Sequence, residues 1–194
     1  MFKSSSGSSA CRMERLAPRS NKLILVNSEN RPVGAEEKLR THQLGLRHRA
    51  FSIFLRDDEG RILLQQRHPE KYHSGGLWAN TCCGHPNMGE LTLRAARRRL
   101  FEELGLNAGL KLAFHTSYRA KVASDMEENE FVYVYVGRLS ADPRPHPKEI
   151  SDLKYLTIAQ LANGLNCNPS QYTVWLHHYI RNHTQELTSA LGRV

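Results

Sequence analysis

Apolar positions along this chain change period several times, and each change marks an element. Residues 23–26 form a short apolar run, closed by a turn at 27–32. A second run spans 50–55. Asp57-Asp58-Glu59-Gly60 then turns the chain, and 61–66 returns as a strand, so the two read as a hairpin. Residues 131–136 alternate aromatic and Val side chains, as a strand does. The helical period is clearest at 91–104, where Leu93, Ala96, Leu100 and Leu104 recur and Gly105 stands at the C-terminal cap. Further helices are predicted at 157–163 and 169–182. Gly75, Gly76, Gly84, Pro86 and Gly89 make 73–90 a long loop, and loops of that length in a small domain usually serve function. The prolines of 142–147 predict another loop. Interleaved strands and helices without a repeat place the chain in the α/β or α+β class, with a mixed sheet sandwiched between helices.

The 194 residues suit one domain. Residues 1–20 are Ser-rich and aperiodic and read as a disordered leader or an expression remnant. Residues 21–182 form the domain, and 183–194 are expected as a C-terminal tail. Cys11, Cys82, Cys83 and Cys167 include an adjacent pair that cannot easily meet disulfide geometry, so reduced thiols in the cytoplasm are expected. No apolar run approaches the ~20 residues of a membrane span. The formal charge is +8; residues 1–20 carry four basic groups against Glu14, or +3, which leaves +5 elsewhere. That excess suits a phosphate-handling protein.

Arg98 and Glu102 are four residues apart, as are Arg99 and Glu103, and on a helix each pair reads first as a surface ion pair. Their context adds more. Gly84, Glu90, Arg98 and the run Arg99-Leu100-Phe101-Glu102-Glu103-Leu104-Gly105-Leu106 resemble the Nudix box, whose loop-helix-loop holds a divalent cation against a diphosphate. Carboxylate oxygens bind Mg²⁺, which bridges phosphate oxygens. Arg99 departs from the pattern. Nudix hydrolases have a glutamate at that place for metal and water, and a cation there should retain diphosphate binding and weaken cleavage.

Three imidazoles (His42, His48, His85) and two carboxylates (Glu128, Glu130) have the chemistry of a metal site. Glu128 and Glu130 are two apart on an expected strand, so they share a face with Val132 and Val134, and two inward glutamates need a cation or partner. Such a set makes a five- or six-coordinate site for Mn²⁺, Zn²⁺ or Mg²⁺.

Glu37 to His42, Arg47 to Phe51, Trp78 to Pro86, Glu128 to Glu130 and Trp175 together resemble the type 1 isopentenyl-diphosphate isomerases, over most of residues 22–180. The resemblance implies a Nudix-like fold and His42, His48, His85, Glu128 and Glu130 as ligands of one ion. The His42–His48 spacing is short for the family, and His68 and His73 match no motif position. The resemblance further implies Cys83 as the catalytic thiol, with Cys82 left to the core because neighbours on extended chain point opposite ways. Glu130 is then the partner acid/base, Tyr118 its proton-orienting neighbour and Trp175 the indole facing a carbocation. It implies Lys38, Arg67, Lys71 and Arg99 on the diphosphate, and Glu103 on a Mg²⁺ carried in with it. The expected partner is a small isoprenoid diphosphate, with no nucleic acid and no membrane insertion, in a monomer or homodimer. The alternatives are a Nudix hydrolase of a nucleoside diphosphate derivative, and an RNA-associated binding module that would leave the Cys, His and Glu residues without work.

Overall fold

β3 (His48–Arg56) organises the molecule, because the strands that carry the polar cluster flank it on both edges. The computed structural model describes residues 21–194. The expected leader at 1–20, with Cys11, lies outside them. Along one edge of β3 runs β8 (Met126–Arg138), parallel, from His48↔Glu130 to Arg56↔Arg138. Along the other lies the short β6 (Cys82–Gly84), antiparallel, with Ser52 opposite Cys83. β1 (Lys22–Val26) and β2 (Pro32–Glu37) form a hairpin beside β3, and β7 (Lys111–Ala123) pairs with β8. β4 (Ile62–Arg67) pairs with β5 (Trp78–Ala79) and β9 (Ile150–Leu156).

Alternation along β3 divides the core in two. Phe51, Ile53 and Leu55 face α2 (Thr92–Leu104) and pack on Ala95, Ala96, Leu100 and Leu104. Ala50 and Phe54, with Val132, Val134 and Val136 of β8, face the C-terminal helices. These are α3 (Ile158–Cys167), which opens on a Thr157–Gln160 capping box, α4 (Val174–Asn182) and α5 (Thr184–Leu191). The mixed sheet therefore lies between α2 and α3–α5, as expected. Gly105 ends α2 at φ 66°, the left-handed conformation that glycine accepts without a Cβ penalty.

Several expectations are corrected. Residues 183–194 are not a tail: Leu187, Ala190 and Leu191 of α5 are buried, because the apolar edge of that helix closes the core over β8 and β3. The 73–90 loop contains β5 and β6, held by pairing with β4 and β3 rather than by periodicity of their own. The helix expected at 169–182 begins only at Val174, after a 3-10 turn at Pro169–Gln171. β2, β7, β9 and α1 (Lys38–Gln43) have no counterpart in the sequence reading; no residue of β2 or β7 is fully buried, so neither shows an apolar run.

Candidate active site

Parallel pairing of β3 with β8 puts His48 directly beside Glu130. The last turn of α1 brings His42 to the same place from outside the sheet, and His85 follows β6 into it. His42 and His48 are fully buried, and Glu128 and Glu130 nearly so. His42 Nε2 lies 3.2 Å from Glu128 Oε2, and His48 Nε2 lies 3.9 Å from that oxygen and 3.5 Å from Glu130 Oε1. His85 Nε2 lies 3.0 Å from Glu130 Oε1.

The other nitrogens fix the chemistry of this cluster. His42 Nδ1 is 2.6 Å from the Lys38 carbonyl and His48 Nδ1 is 2.9 Å from the Leu46 carbonyl. A carbonyl only accepts, so each Nδ1 carries the proton, and in the neutral rings Nε2 presents a lone pair. His42 Nε2, His48 Nε2 and Glu128 Oε2 are all buried without a hydrogen-bond partner. Unpaired lone pairs held together in a dry pocket are costly unless a cation lies among them. The backbone-anchored imidazoles are also the arrangement that metal-bound histidines use. His42, His48 and His85 stand close enough to hold an ion together, as do His48, Glu128 and Glu130, and His42, His73 and Glu128. Burial pushes the His85 pKa down to about 3, leaving a neutral imidazole. Burial alone would also lower His48, but its contacts with Glu130 and Glu128 outweigh that and raise it.

The cluster forms one wall of a cavity of about 330 Å³. Cys83, Tyr118 and Trp175 line the same cavity. Cys82 and Cys83 point to opposite faces of β6: Cys82 is fully buried against the α2 core, whereas Cys83 reaches the cavity. Asn80 determines how the Cys83 thiol sits. Its Nδ2 donates to the carbonyls of Ile53 (3.0 Å) and Cys82 (3.1 Å), so its Oδ1 is left to accept from Cys83 Sγ at 3.0 Å. Ser52 Oγ lies 3.3 Å from the sulfur and 2.8 Å from Tyr179 Oη. Burial pushes the Cys83 pKa up to about 12, so this is a thiol rather than a thiolate. Tyr118 donates its hydroxyl to Glu130 Oε2 at 2.7 Å. Arg67 lies over the Trp175 ring, 5.2 Å from its centre.

The cavity is also lined by cations. Lys38, Arg67, Lys71 and Arg99 all line it and an adjoining recess, where Glu103 and Glu149 join them. Arg99 Nη1 donates to Glu102 at 2.7 Å, and its Nη2 pairs with Glu103 and lies 3.4 Å from Glu149. Lys71 pairs with Glu149 as well. Glu103 accepts from Gln65 at 3.1 Å. Burial and the neighbouring Arg67 lower the Lys38 pKa. Arg98 pairs with Glu102 at 3.5 Å, as the spacing suggests, and its guanidinium also forks onto Glu90, with both bonds 2.8 Å, which ties the loop to α2.

A NUDIX domain model matches residues 46–177. An isopentenyl-diphosphate Delta-isomerase of Serratia proteamaculans is 48% identical over 153 residues, covering 79% of this chain and 86% of the relative. The enzyme of the same name from Burkholderia multivorans is 47% identical over 156 residues, covering 80% and 89%. The chain belongs to the isopentenyl-diphosphate Delta-isomerase family. A Deinococcus radiodurans crystal structure superimposes with a TM-score of 0.68 at 22% identity, covering 82% of this chain and 97% of that one. A MutT protein from Methanosarcina mazei gives 0.59 at 16%, covering 73% and 95%. These two likenesses bear on the fold alone.

Every candidate side chain named from the sequence lies on the cavity, in its recess or, for His42 and His48, against the Glu128 that lines it. Sequence reasoning missed four others that touch the site. Asn80 stands within the quoted loop, but only its amide bonds reveal its part. Ser52 and Tyr179 are silent in sequence, as is Glu149 at the end of the proline-rich loop. His73 was set aside for matching no motif, yet its Nε2 comes within 3.4 Å of Glu128 Oε1; His68 does not join the cluster. Among the described residues no helix is long and apolar enough to cross a membrane.

Proposed function

We propose that this isomerase interconverts isopentenyl and dimethylallyl diphosphate by adding a proton at one end of the three-carbon allylic unit and removing one at the other. The observation that carries the reading is a single cavity lined by a thiol, a carboxylate and an indole together with four cations. The substrate has the same two-part chemistry: an unactivated alkene and a diphosphate.

Cys83 and Glu130 form the acid/base pair. One delivers its proton to a terminal alkene carbon, and the electron pair of the double bond forms the new C–H bond. The other takes the proton from the carbon across the unit, and that C–H pair becomes the new double bond. One proton enters the substrate and one leaves, so the composition is unchanged. Charge at the central carbon in between calls for a dry pocket and a π face. Trp175 supplies the face, and the helices over it keep water out. Tyr118 holds Glu130 in place. Asn80 and Ser52 hold the thiol.

His42, His48, His85, Glu128 and Glu130 would hold a divalent ion, Mn²⁺, Zn²⁺ or Mg²⁺, and the donor set with its orphaned lone pairs fits one. When bound, such an ion fixes the carboxylates and tunes the proton affinity of Glu130. Lys38, Arg67, Lys71 and Arg99 bind the diphosphate, Arg through its fork and Lys as a point charge. Glu103 would hold a Mg²⁺ accompanying it. Arg99, bound to carboxylates where a hydrolase has a glutamate, disfavours cleavage.

The test is incubation of the protein with isopentenyl diphosphate, Mg²⁺ and Mn²⁺ in deuterium oxide. Dimethylallyl diphosphate carrying solvent deuterium, read by NMR, is expected. Release of phosphate without isomerised product would transfer the case to the hydrolase reading.

A further inference from the structure

Each carboxylate of the His/Glu cluster turns one oxygen toward the imidazoles and one away. For Glu130 the inward oxygen is Oε1, near His85 and His48, and the outward Oε2 accepts from Tyr118 at 2.7 Å. For Glu128 the inward oxygen is Oε2, near His42 and His48, and the outward Oε1 lies 3.4 Å from His73 Nε2. Each outward oxygen thus has a neighbour, a hydrogen bond from Tyr118 for Glu130 and a longer approach of His73 for Glu128. His73 is buried, with its Nδ1 3.2 Å from Ser74 Oγ and its ring edge-on to Tyr72 at 4.4 Å and to Trp175 at 6.0 Å. The turn that presents it is held by Ser74 at φ 52° and Gly76 at φ 76°.

We propose that His73 is a positioning residue of the metal centre: a fourth imidazole that grips the outward oxygen of Glu128 as Tyr118 grips that of Glu130. With the Ser74 hydroxyl donating to Nδ1, the proton resides on Nε2 and faces Glu128 Oε1. A glutamate so held offers a single oxygen inward and does not rock between one- and two-oxygen coordination. Carboxylates that bind metals are typically held from behind in this way, and loss of such a contact weakens metal binding about 10- to 100-fold. The inference rests on the metal reading of the cluster. It adds a residue to it, from the loop that also carries Lys71, so the segment touching the diphosphate end also braces the ion.

The experiment strips the wild-type protein and the His73→Ala, His73→Gln and Glu128→Gln variants with a chelator. Each is then titrated with Mn²⁺ and with Zn²⁺ against a chromophoric competitor, without diphosphate. Expected are binding by wild type, a loss of about 10- to 100-fold in His73→Ala, partial recovery in His73→Gln through its amide N–H, and the largest loss in Glu128→Gln. Absorption of the Co²⁺-loaded His73→Ala and wild-type proteins should agree in band position and intensity, because the inner donors are the same. Equal affinity of His73→Ala and wild type overturns the proposal. So does a changed Co²⁺ spectrum, which would make His73 a direct donor. If His73→Ala does not fold by circular dichroism, His73→Gln decides by the same comparison: its affinity falls measurably below wild type or the proposal fails. Absence of ion binding by wild type would instead overturn the metal reading itself.

Discussion

Ser52 and Cys83 stand opposite each other in the β3–β6 pairing, and the hydroxyl lies 3.3 Å from the thiol sulfur. This relationship separates the two adjacent cysteines. The pairing that turns Cys83 toward Ser52 and the cavity turns its neighbour into the α2 core.

Cys83→Ala should abolish isomerisation while circular dichroism stays native. Cys82→Ala should keep most turnover and lose about 1 kcal/mol of stability, since its sulfur fills core space and makes one long bond to the Cys83 carbonyl. Kinetics and thermal melting of both variants decide this; an inactive but folded Cys82→Ala would reassign the thiol.

Tyr118→Phe removes the only hydroxyl on Glu130 Oε2 among the described contacts. A hydrogen bond to a charged group is worth about 1.5–3 kcal/mol. A fall in kcat of about 10- to 100-fold with little change in KM is expected. Unchanged kcat would remove Tyr118 from the proton machinery.

Arg99→Ala should act mainly on binding. It deletes a fork that now pairs with Glu102, Glu103 and Glu149 on the wall of the cavity. KM, and the inhibition constant of inorganic diphosphate, should both rise about tenfold or more. If only kcat moves, the residue does not hold the diphosphate.

Asp57 gives a pH-dependent test of stability. It is buried, which would raise its pKa, but its bonds from Arg61, at 2.7 Å from both the backbone nitrogen and Nε, hold it below the ordinary carboxylate value. A group depressed by folding stabilises above its unfolded pKa of about 3.9 and loses that contribution as pH falls through the lower folded value. Denaturant melts from pH 6 downward should show a steeper acid loss for the native protein than for Asp57→Asn; parallel curves would show the pairing to be neutral.

Gly75→Ala should destabilise the loop that carries Lys71 and His73. A Cβ there would sit 2.2 Å from the Pro69 carbonyl oxygen, and a backbone atom cannot swing aside as a side chain can. A cost of about 1–3 kcal/mol, or roughly 2–12 °C in Tm for a chain of this size, is expected, together with weaker diphosphate binding. A melt equal to the native one would mean that the loop yields freely.

The sequence by itself determined the elements whose periodicity is strong and the family whose motifs it carries. Residues 50–55, 61–66, 91–104 and 131–136 fell where the strands and the helix lie, because burial of one face or both imposes a pattern that local reading detects. The spaced Glu, His, Cys and Arg positions named the chemistry. Tertiary structure alone decided the rest. β7 and β2 are edge strands whose exposed faces impose no apolar pattern, and α5 is short enough that only docking on the sheet makes it part of the core. The register of β3 on β8 makes His48 a neighbour of Glu130, 82 residues further along the chain, which no spacing encodes. Asn80, Ser52, Glu149 and His73 owe their places to packing between segments distant in sequence. A local pattern records which face of an element is buried, and only the assembled layers fix what that face meets.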